Sequence, residues 1–234
     1  MSGLIESAAA ILGASERRLE AVASNVANVS TPGYKRQVSF AAMVRDATDP
    51  AGRMAIRTRA DFSVGKLADT GNPLDLAIGG GGFFQLRAGD DLVYSRQGNF
   101  TLAADGTVIT PQGYVLQQAG GGDLTLDSAD VQIQPDGTVV ANGQPVAKVG
   151  VFVADDARKA QPIDGSLFRF DAGAMHDAAD PQLHQGTTEA SNVTVGDEMV
   201  TMMDALRQAE SGAHIVQAYD DLVGKAISTF GGGQ

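Results

Sequence analysis

The stretch "SNVANVSTPGYKR", residues 24–36, lies where a long helical pattern ends, and it decides how the chain is organised. Over residues 5–29 the apolar positions alternate by three and four, which is the spacing of one helical face. Thr31 stands before Pro32, so the α region is disfavoured there, and Gly33 can adopt the left-handed conformation that ends helices. The stretch therefore predicts an N-terminal helix that stops at a sharp turn.

The N-terminal seam is the set of positions that share this helical face. Its members are Ile5, Ala8, Leu12, Ser15, Leu19, Val22, Val26 and Val29. Asn25 and Asn28 lie together on one face near the helix end, where their amides would bond exposed carbonyls or a neighbouring chain. Simple termination of the helix is the alternative interpretation, and the spacing alone favours it.

The C-terminal end repeats the pattern. Its seam runs through Val195, Met199, Met202, Leu206, Ala209, Ala213, Val216, Asp220, Val223, Ile227 and Phe230. Ser191 or Asn192 is the expected N-cap, and "GGGQ" at 231–234 is expected to stop the helix. The two apolar seams have to be buried against something, and pairing the two ends with each other is the simplest solution. Two helices packed on a globular body would satisfy the same pattern.

Between the helices the signals are those of β structure. Short runs rich in β-branched and aromatic residues are separated by hairpin-turn dipeptides such as Asp105-Gly106 and Asn142-Gly143. The sequence Asp-Gly-Thr-Val occurs at 105–108 and again at 136–139, and every phenylalanine except Phe40 and Phe230 falls within 61–187.

The predicted fold class is therefore α+β and mainly β. An antiparallel β domain, residues 61–187, is inserted between N- and C-terminal helices that pair as a coiled coil on assembly. Residues 1–36 and 189–234 form the terminal helical domain, and residues 37–60 form a connector. Several seam positions are only Ala or Ser, so an isolated helix pair would be marginal. We therefore expect the terminal helices to become ordered on assembly, when neighbouring copies supply apolar surface.

Composition excludes several classes of partner. The net charge of −11 argues against nucleic acid, which is bound by a basic face. No run approaches the ~20 apolar residues of a membrane span, so membrane insertion is not expected. The first residues lack the basic segment of a cleaved signal peptide, and Glu6 interrupts their apolar run.

No catalytic, cofactor or metal site is expected, and the chain is not expected to be an enzyme. The four glycines at 79–82 are followed by Phe83 and Phe84, which read as a strand, whereas a phosphate loop precedes a helix. The three histidines, His176, His184 and His214, do not lie at metal-ligand spacing, and the chain has no cysteine. A hydrolase that uses the paired aspartates of the β domain is a remote alternative.

Three motifs, in order, resemble those of the bacterial flagellar rod and hook proteins. "ASNVANVSTPGYKR" (23–36) resembles the N-terminal signature of the family. "TGNPLDLAIGGGGFFQL" (70–86) and "YSRQGNFTLAADGTVITPQGYVL" (94–116) resemble its shared β domain, and "EASNVTVGDEMVTMMDALRQAE" (189–210) resembles its C-terminal signature. Together they cover about a third of the chain.

The resemblance implies a structural subunit of the flagellar basal-body rod. Such subunits pack their paired terminal helices into an inner tube around an export channel, place their β domains outside, and transmit torque across the periplasm. They leave the cell through the flagellar type III export apparatus without a cleaved signal peptide. Their partners are other copies and neighbouring rod or hook proteins.

The resemblance also assigns roles to residues. The turn at Pro32 and Gly33 would redirect the chain outward, Tyr34 and Lys35 would begin the outward segment, and the two asparagines would contact neighbouring helices. The residues on which assembly is expected to depend are Leu12, Leu19, Val22, Asn25, Val26, Asn28, Pro32, Gly33, Tyr34, Lys35, Asn192, Met199, Met202, Leu206, Val216 and Val223.

Length and motifs favour a proximal rod component over the distal rod protein, and leave no room for the large insertion common in hook subunits. A soluble β-domain adaptor that dimerises through its terminal helices is the alternative from a different class.

Overall fold

The computed structural model describes residues 2–44 and 53–231, and it divides the chain into two units. The helical unit comprises Met1–Ala27, Gln37–Thr58 and Thr194–Gln234. The β unit comprises Asn28–Arg36 and Arg59–Val193. The chain therefore passes between the two units at four points, after residues 27, 36, 58 and 193.

The helical unit contains two long helices and most of a small sheet. Helix α1 is Ser2–Ala27 and helix α2 is Val195–Gly231. Strands β1 (Gln37–Val44) and β2 (Arg53–Ala60) pair as a two-stranded sheet, so the segment predicted as a connector carries two strands. The part of "FAAMVRDATDP" from residue 45 onward lies outside the described residues.

Helix α2 begins at Val195, three residues after Asn192 and four after Ser191, the two predicted N-caps. The prediction was wrong because both candidate side chains are engaged elsewhere. The hydroxyl of Ser191 accepts a hydrogen bond from the Val193 amide, and the side-chain amide of Asn192 donates to the carbonyl of Asp61. Asp197 and Glu198 do lie in the first turn, where negative charge complements the helix dipole.

The β unit is built from short strands whose described pairings are antiparallel. They are β3 (Leu67–Asp69), β4 (Leu76–Ile78), β5 (Phe83–Ala88), β6 (Asp91–Ser95), β7 (Thr101–Leu102), β8 (Val108–Ile109), β9 (Val115–Leu116), β10 (Gln132–Ile133), β11 (Thr138–Ala141), β12 (Gln144–Lys148), β13 (Val151–Ala154), β14 (Gln161–Pro162), β15 (Leu167–Arg169), β16 (Met175–Asp177), β17 (Leu183–Gln185) and β18 (Thr187–Glu189).

The largest sheet has the order β14-β15-β6-β5-β9-β8-β7, and β13 joins it by pairing with β5 and with β16. Strands β10, β11 and β12 form a three-stranded sheet, while β17 pairs with β4 and β18 with β3. The predicted order of N-terminal helix, antiparallel β domain and C-terminal helix is thus confirmed.

Two apolar clusters hold the β unit together. The larger surrounds the fully buried side chains of Phe84, Leu86 and Leu116. The smaller is aromatic, with the rings of Phe83 and Phe168 meeting Phe62 edge to face at centroid distances of 5.1 and 5.0 Å. Edge-to-face contact is the arrangement that ring quadrupoles favour.

The repeated Asp-Gly-Thr-Val sequence forms the same turn twice. In each copy the aspartate carboxylate, of Asp105 or Asp136, accepts from both the backbone amide and the hydroxyl of the threonine two residues later. The following glycine has a φ of 83° or 89°, a conformation that L-residues with a side chain rarely adopt. These bonds favour the ionised carboxylates, and the pKa of each aspartate is lowered.

Candidate assembly surface and the Glu189 cluster

Helices α1 and α2 pack against each other in antiparallel orientation. Near one end of the pair, the side-chain amide of Asn25 donates to the carboxylate of Glu198 over 3.1 Å. Farther along, the Arg18 guanidinium donates to the Gln208 side-chain oxygen over 2.5 Å. As residue numbers fall along α1 they rise along its partner, so the pairing is antiparallel.

Small residues allow the two helices to approach closely. Ala8 and Ser15 on α1 and Ala205 on α2 are completely buried. A β-carbon placed on Gly212 would lie 3.1 Å from Cγ of Leu12 and 3.2 Å from Cγ2 of Ile11. Because an ordinary side chain does not fit without movement, the glycine is part of the helix–helix contact.

Asn25 also connects the helix pair to β1. Its side-chain nitrogen donates to the carbonyl of Gln37, and its side-chain oxygen accepts from the backbone amide of Gln37. The Asn25 side chain therefore bonds the backbone of β1 within one chain. Asn28 accepts from the Thr31 hydroxyl, and the Thr31 amide donates to the Asn28 carbonyl, which closes the turn after α1.

The predicted seam residues differ in how far they are buried. Val22 is buried, Leu12 and Leu19 on α1 and Val216 on α2 are half-buried, while Val26 and Val223 are exposed. The residues at the start of the C-terminal seam are also exposed: Met199 by 54%, Met202 by 38% and Leu206 by 45%.

Rows of residues at seven-residue spacing along α2 differ in burial. Glu198, Ala205 and Gly212 form one such row, and all three are buried. The row that begins at Val195 and Met202 is exposed, and one and two heptads later Ala209 and Val216 are half-buried. One apolar row in the sequence therefore becomes two surfaces in the fold.

The exposed part of this row belongs to a wider apolar surface, which we call the α2 flank. It consists of Val195, Met199, Met202, Met203 and Leu206. Contiguous exposed apolar surface is a common feature of protein–protein contact sites, which makes the α2 flank the candidate assembly surface. Three of its members are methionines, whose flexible side chains adapt to irregular partner surfaces.

A second candidate region lies wholly inside the β unit and is centred on Glu189. The Glu189 side chain is 1% exposed and that of Lys35 is 0% exposed, with 2.5 Å between Oε1 and Nζ. The other carboxylate oxygen, Oε2, accepts from Nε of Arg96 over 2.9 Å. We call Lys35, Arg96 and Glu189 the Glu189 cluster.

The glycine-rich segment 79–82 binds the Arg96 guanidinium of this cluster. Nη1 of Arg96 donates to the carbonyls of Gly80 and Gly82, each over 2.8 Å, and Nη2 donates to the carbonyl of Ile78. The segment presents carbonyl oxygens to a cation, which is the reverse of the N–H groups that a phosphate loop presents to an anion. The expected strand follows directly as β5.

Burial penalises the charged form of Lys35. Its pKa is lowered, chiefly because burial removes the ammonium group from water and despite the hydrogen bond and the charge of Glu189. Arg96 lowers the pKa further and Asp61 raises it. Two buried cations thus share one buried carboxylate, and that carboxylate is the centre of the cluster.

Three chain segments that lead to the helical unit meet at this cluster. The Gly33 amide donates to the Glu189 carbonyl over 2.7 Å, and the Gly65 amide donates to Glu189 Oε1 over 2.7 Å. The Lys35 ammonium also donates to the Ser63 carbonyl. Asn192 adds further links, because its oxygen accepts from the Arg36 amide and its nitrogen donates to Asp61 and Ser63.

Sequence reasoning placed Lys35 and Asn192 in the candidate site but missed Glu189 and Arg96. Both lie inside the family-like motifs, in "EASN" and "YSRQGNF". Arg96 follows the last residue of β6, and Glu189 ends β18 after two threonines, so neither stands out from an apolar run. Nothing local in the sequence indicates which opposite charge each of them meets.

Within residues 2–44 and 53–231, no group of three or more His, Asp or Glu side chains could hold a metal ion. Among those same residues, neither helix has a stretch long and apolar enough to cross a membrane.

Three family models match the chain. The flagella basal body rod protein family matches residues 5–35, which end in the turn after α1. The D1 domain of the flagellar hook protein FlgE/F/G family matches residues 77–141, and the C-terminal model of the flagellar basal body rod FlgEFG proteins matches residues 184–229.

Named proteins are similar over nearly the full length. The flagellar basal-body rod protein FlgF of Caulobacter vibrioides is 30% identical over 92% of this chain and 92% of its own. FlgF of Salmonella typhimurium is 32% identical over 87% of this chain and 88% of its own. The flagellar basal-body rod protein FlgG of Bacillus subtilis is 28% identical over 91% of this chain and 93% of its own.

Proposed function

This chain belongs to the family of flagellar basal-body rod proteins and is a structural subunit of the rod, and from this premise we propose that it occupies the proximal part of the rod. The observation that supports the position most directly is similarity to FlgF proteins at 30% and 32% identity over most of both chains. FlgG of Bacillus subtilis matches a comparable share of the chain at 28% identity, so the distal rod remains the position to test against.

The α2 flank supports a mechanism of assembly. Its five apolar residues are exposed although α1 already covers a neighbouring side of the same helix. Burying apolar surface contributes roughly 25 cal/mol per Å². Contact between the flank and the terminal helices of adjacent subunits would therefore stabilise a tube, in which the paired helices form coiled-coil contacts around a central export channel.

Export of the subunit and transmission of torque complete the proposed function. The subunit would reach its place through the flagellar type III export apparatus, without removal of a signal peptide, and would fold where it assembles in the periplasm. Its terminal helices would bind other copies and neighbouring rod proteins, and the assembled rod would pass torque from the motor to the hook.

Deleting the gene and imaging purified basal bodies tests the proposed position. We expect the deletion strain to be non-motile and its basal bodies to lack the rod beyond its innermost part, and expression of the intact chain in trans to restore both. A strain with a complete proximal rod that lacks only the distal rod would overturn the proximal position. Normal rods and normal swimming would overturn a role in the rod.

A further inference from the structure

We propose that Glu189 is a positioning residue whose buried carboxylate anchors the chain where it leaves the β unit, so that this anchor carries mechanical load. The proposal rests on the proposed function for its consequence in the cell. Its structural part, the anchoring itself, is independent of that function.

Chain connectivity gives the cluster its importance. The passages to the helical unit occur after residues 27, 36, 58 and 193. The Glu189 side chain binds Lys35, immediately before one passage, and Gly65, a few residues after another. Glu189 itself stands just before the last passage, and its carbonyl accepts from Gly33. One residue therefore holds the segments on the β-unit side of three of the four passages.

The negative charge of the Glu189 carboxylate, rather than the shape of the side chain, should determine the stability of the anchor. Lys35 and Arg96 are both buried, and Glu189 is the anion bonded to each of them. Removing one partner of a buried ion pair strongly destabilises a protein because it leaves an uncompensated charge away from water. Glu189→Gln would leave both cations without the carboxylate that bonds them, with the charge of half-buried Asp61 still acting on Lys35. The side-chain amide that it introduces could turn an N–H donor towards Arg96 Nε in place of an acceptor.

Lys35→Met provides the contrasting change. It removes one cation and leaves Arg96 and Glu189 as a one-to-one pair of opposite charge. The Ser63 carbonyl that Lys35 occupied still accepts a hydrogen bond from Asn192 over 3.1 Å. Apolar replacement of a buried charge is often tolerated when the remaining groups stay paired.

These charge relations predict a specific order among variants. Lys35→Met alone should be mild and Glu189→Gln alone severe. The double variant Lys35→Met/Glu189→Gln should be more stable than Glu189→Gln, because it contains one fewer uncompensated cation. A role in packing alone predicts the opposite order, since the double variant changes two buried side chains instead of one.

Trypsin digestion of the purified full-length chain measures the anchor directly. Arg36 is half-buried in a segment held by Lys35 and Asn192, and it remains a cleavage site in every variant. Cleavage after Arg36 should accelerate by roughly 100-fold in Glu189→Gln, and the double variant should fall between that variant and the native chain. Glu210→Gln, at an exposed position on α2, is the matched control and should cleave at the native rate.

The order of thermal midpoints checks the same inference without protease. If the double variant melts below Glu189→Gln, or if Glu189→Gln is cleaved at the native rate, the anchor proposal is overturned. If Glu189→Gln fails to fold, the milder substitution Arg96→Lys, which retains the charge but cannot reproduce the bonds to Ile78, Gly80 and Gly82, takes its place. Cleavage of that variant at the native rate would equally overturn the proposal.

Swimming under load tests the consequence in cells. Strains carrying Glu189→Gln should assemble flagella and swim in dilute medium but lose speed steeply as the viscosity rises, while Glu210→Gln strains follow the native curve. If Glu189→Gln is cleaved rapidly after Arg36 but its strain keeps the native dependence of swimming speed on viscosity, the load-bearing role is refuted. If the deletion strain itself swims normally, the proposed function fails, and the protease and melting experiments still decide the anchor.

Discussion

The backbone amide of Gly33 donates to the carbonyl oxygen of Glu189 over 2.7 Å, which joins the turn after the first helix to the last strand of the β unit. Gly33 also lies against a third segment, since a β-carbon on Gly33 would lie 2.2 Å from the backbone nitrogen of Gln97. Gly33 also has a φ of 70°, so its conformation and its surroundings both exclude a side chain.

Gly33→Ala should therefore be severely destabilising. The left-handed conformation alone costs about 1–2 kcal/mol with an alanine, and the backbone clash adds to that cost. Gly71→Ala is the matched control, because Gly71 has a φ of 73° but a β-carbon there would have nothing within 4 Å. Denaturant unfolding of both variants should show a markedly larger loss for Gly33→Ala, and equal losses would contradict the close approach.

Gly212→Leu tests the packing of the two helices. The added side chain would collide with Ile11 and Leu12 and separate α1 from α2. Overpacking of this kind costs about 1–3 kcal/mol. Gly224→Leu, where a β-carbon has nothing within 4 Å, should leave the pairing intact and favour the helix. Circular dichroism at 222 nm during heating compares them, and a native midpoint for Gly212→Leu would argue against the contact.

Leu206→Asp tests the α2 flank. Leu206 is 45% exposed in the single chain, so the substitution should change the stability of the isolated protein by less than about 1 kcal/mol. It would place a charge in an assembled apolar interface, and we therefore expect loss of incorporation into basal bodies and loss of motility. Ser211→Asp adds the same charge at another exposed position of α2 and should be tolerated. Normal swimming with Leu206→Asp would remove the flank from the assembly surface.

Asp123→Asn tests a polar contact inside the β unit. The Arg87 guanidinium donates to both oxygens of Asp123 and the Gln117 amide donates to one, and these bonds lower the pKa of Asp123 to about 2. A carboxylate whose pKa is lowered on folding stabilises the fold above its unfolded pKa, about 3.8, and loses that contribution as the pH falls through about 2.

The Asn variant should consequently unfold at lower urea concentration than the native chain at pH 7, and this difference should shrink between pH 4 and about pH 2. Because the pair is partly exposed, the difference should be small, on the order of 1 kcal/mol or less. Asp180→Asn changes an exposed aspartate and controls for the loss of one charge. A difference that grows on acidification would contradict the assigned bonds.

The order of helix, β domain and helix could be predicted from the sequence because its signals are local. Apolar spacing of three and four residues, a proline after Thr31 and repeated Asp-Gly turns act over a few positions, and each corresponds to an element in the fold. The failure at the start of α2 is instructive, since Asn192 has the side chain of a helix cap but bonds Asp61 and Ser63 instead.

The spacing of the C-terminal apolar residues could not predict which of them are buried and which are exposed. Met202 and Val216 occupy equivalent positions of a seven-residue repeat, yet the first is exposed and the second is half-buried. How far each position is covered depends on which side chains of α1 lie opposite it, and only the packed pair of helices specifies that.

The sequence by itself determined the order of helix, β domain and helix, because helix and strand periods and turn signals are properties of neighbouring residues. Only the tertiary structure decided that Lys35, Arg96 and Glu189 meet, that the carbonyls of Gly80 and Gly82 bind a guanidinium, and that one side of α2 stays uncovered. The physical reason is that a buried charge is stabilised by whichever opposite charge the fold brings within a few ångströms, and separation along the chain carries no information about that distance.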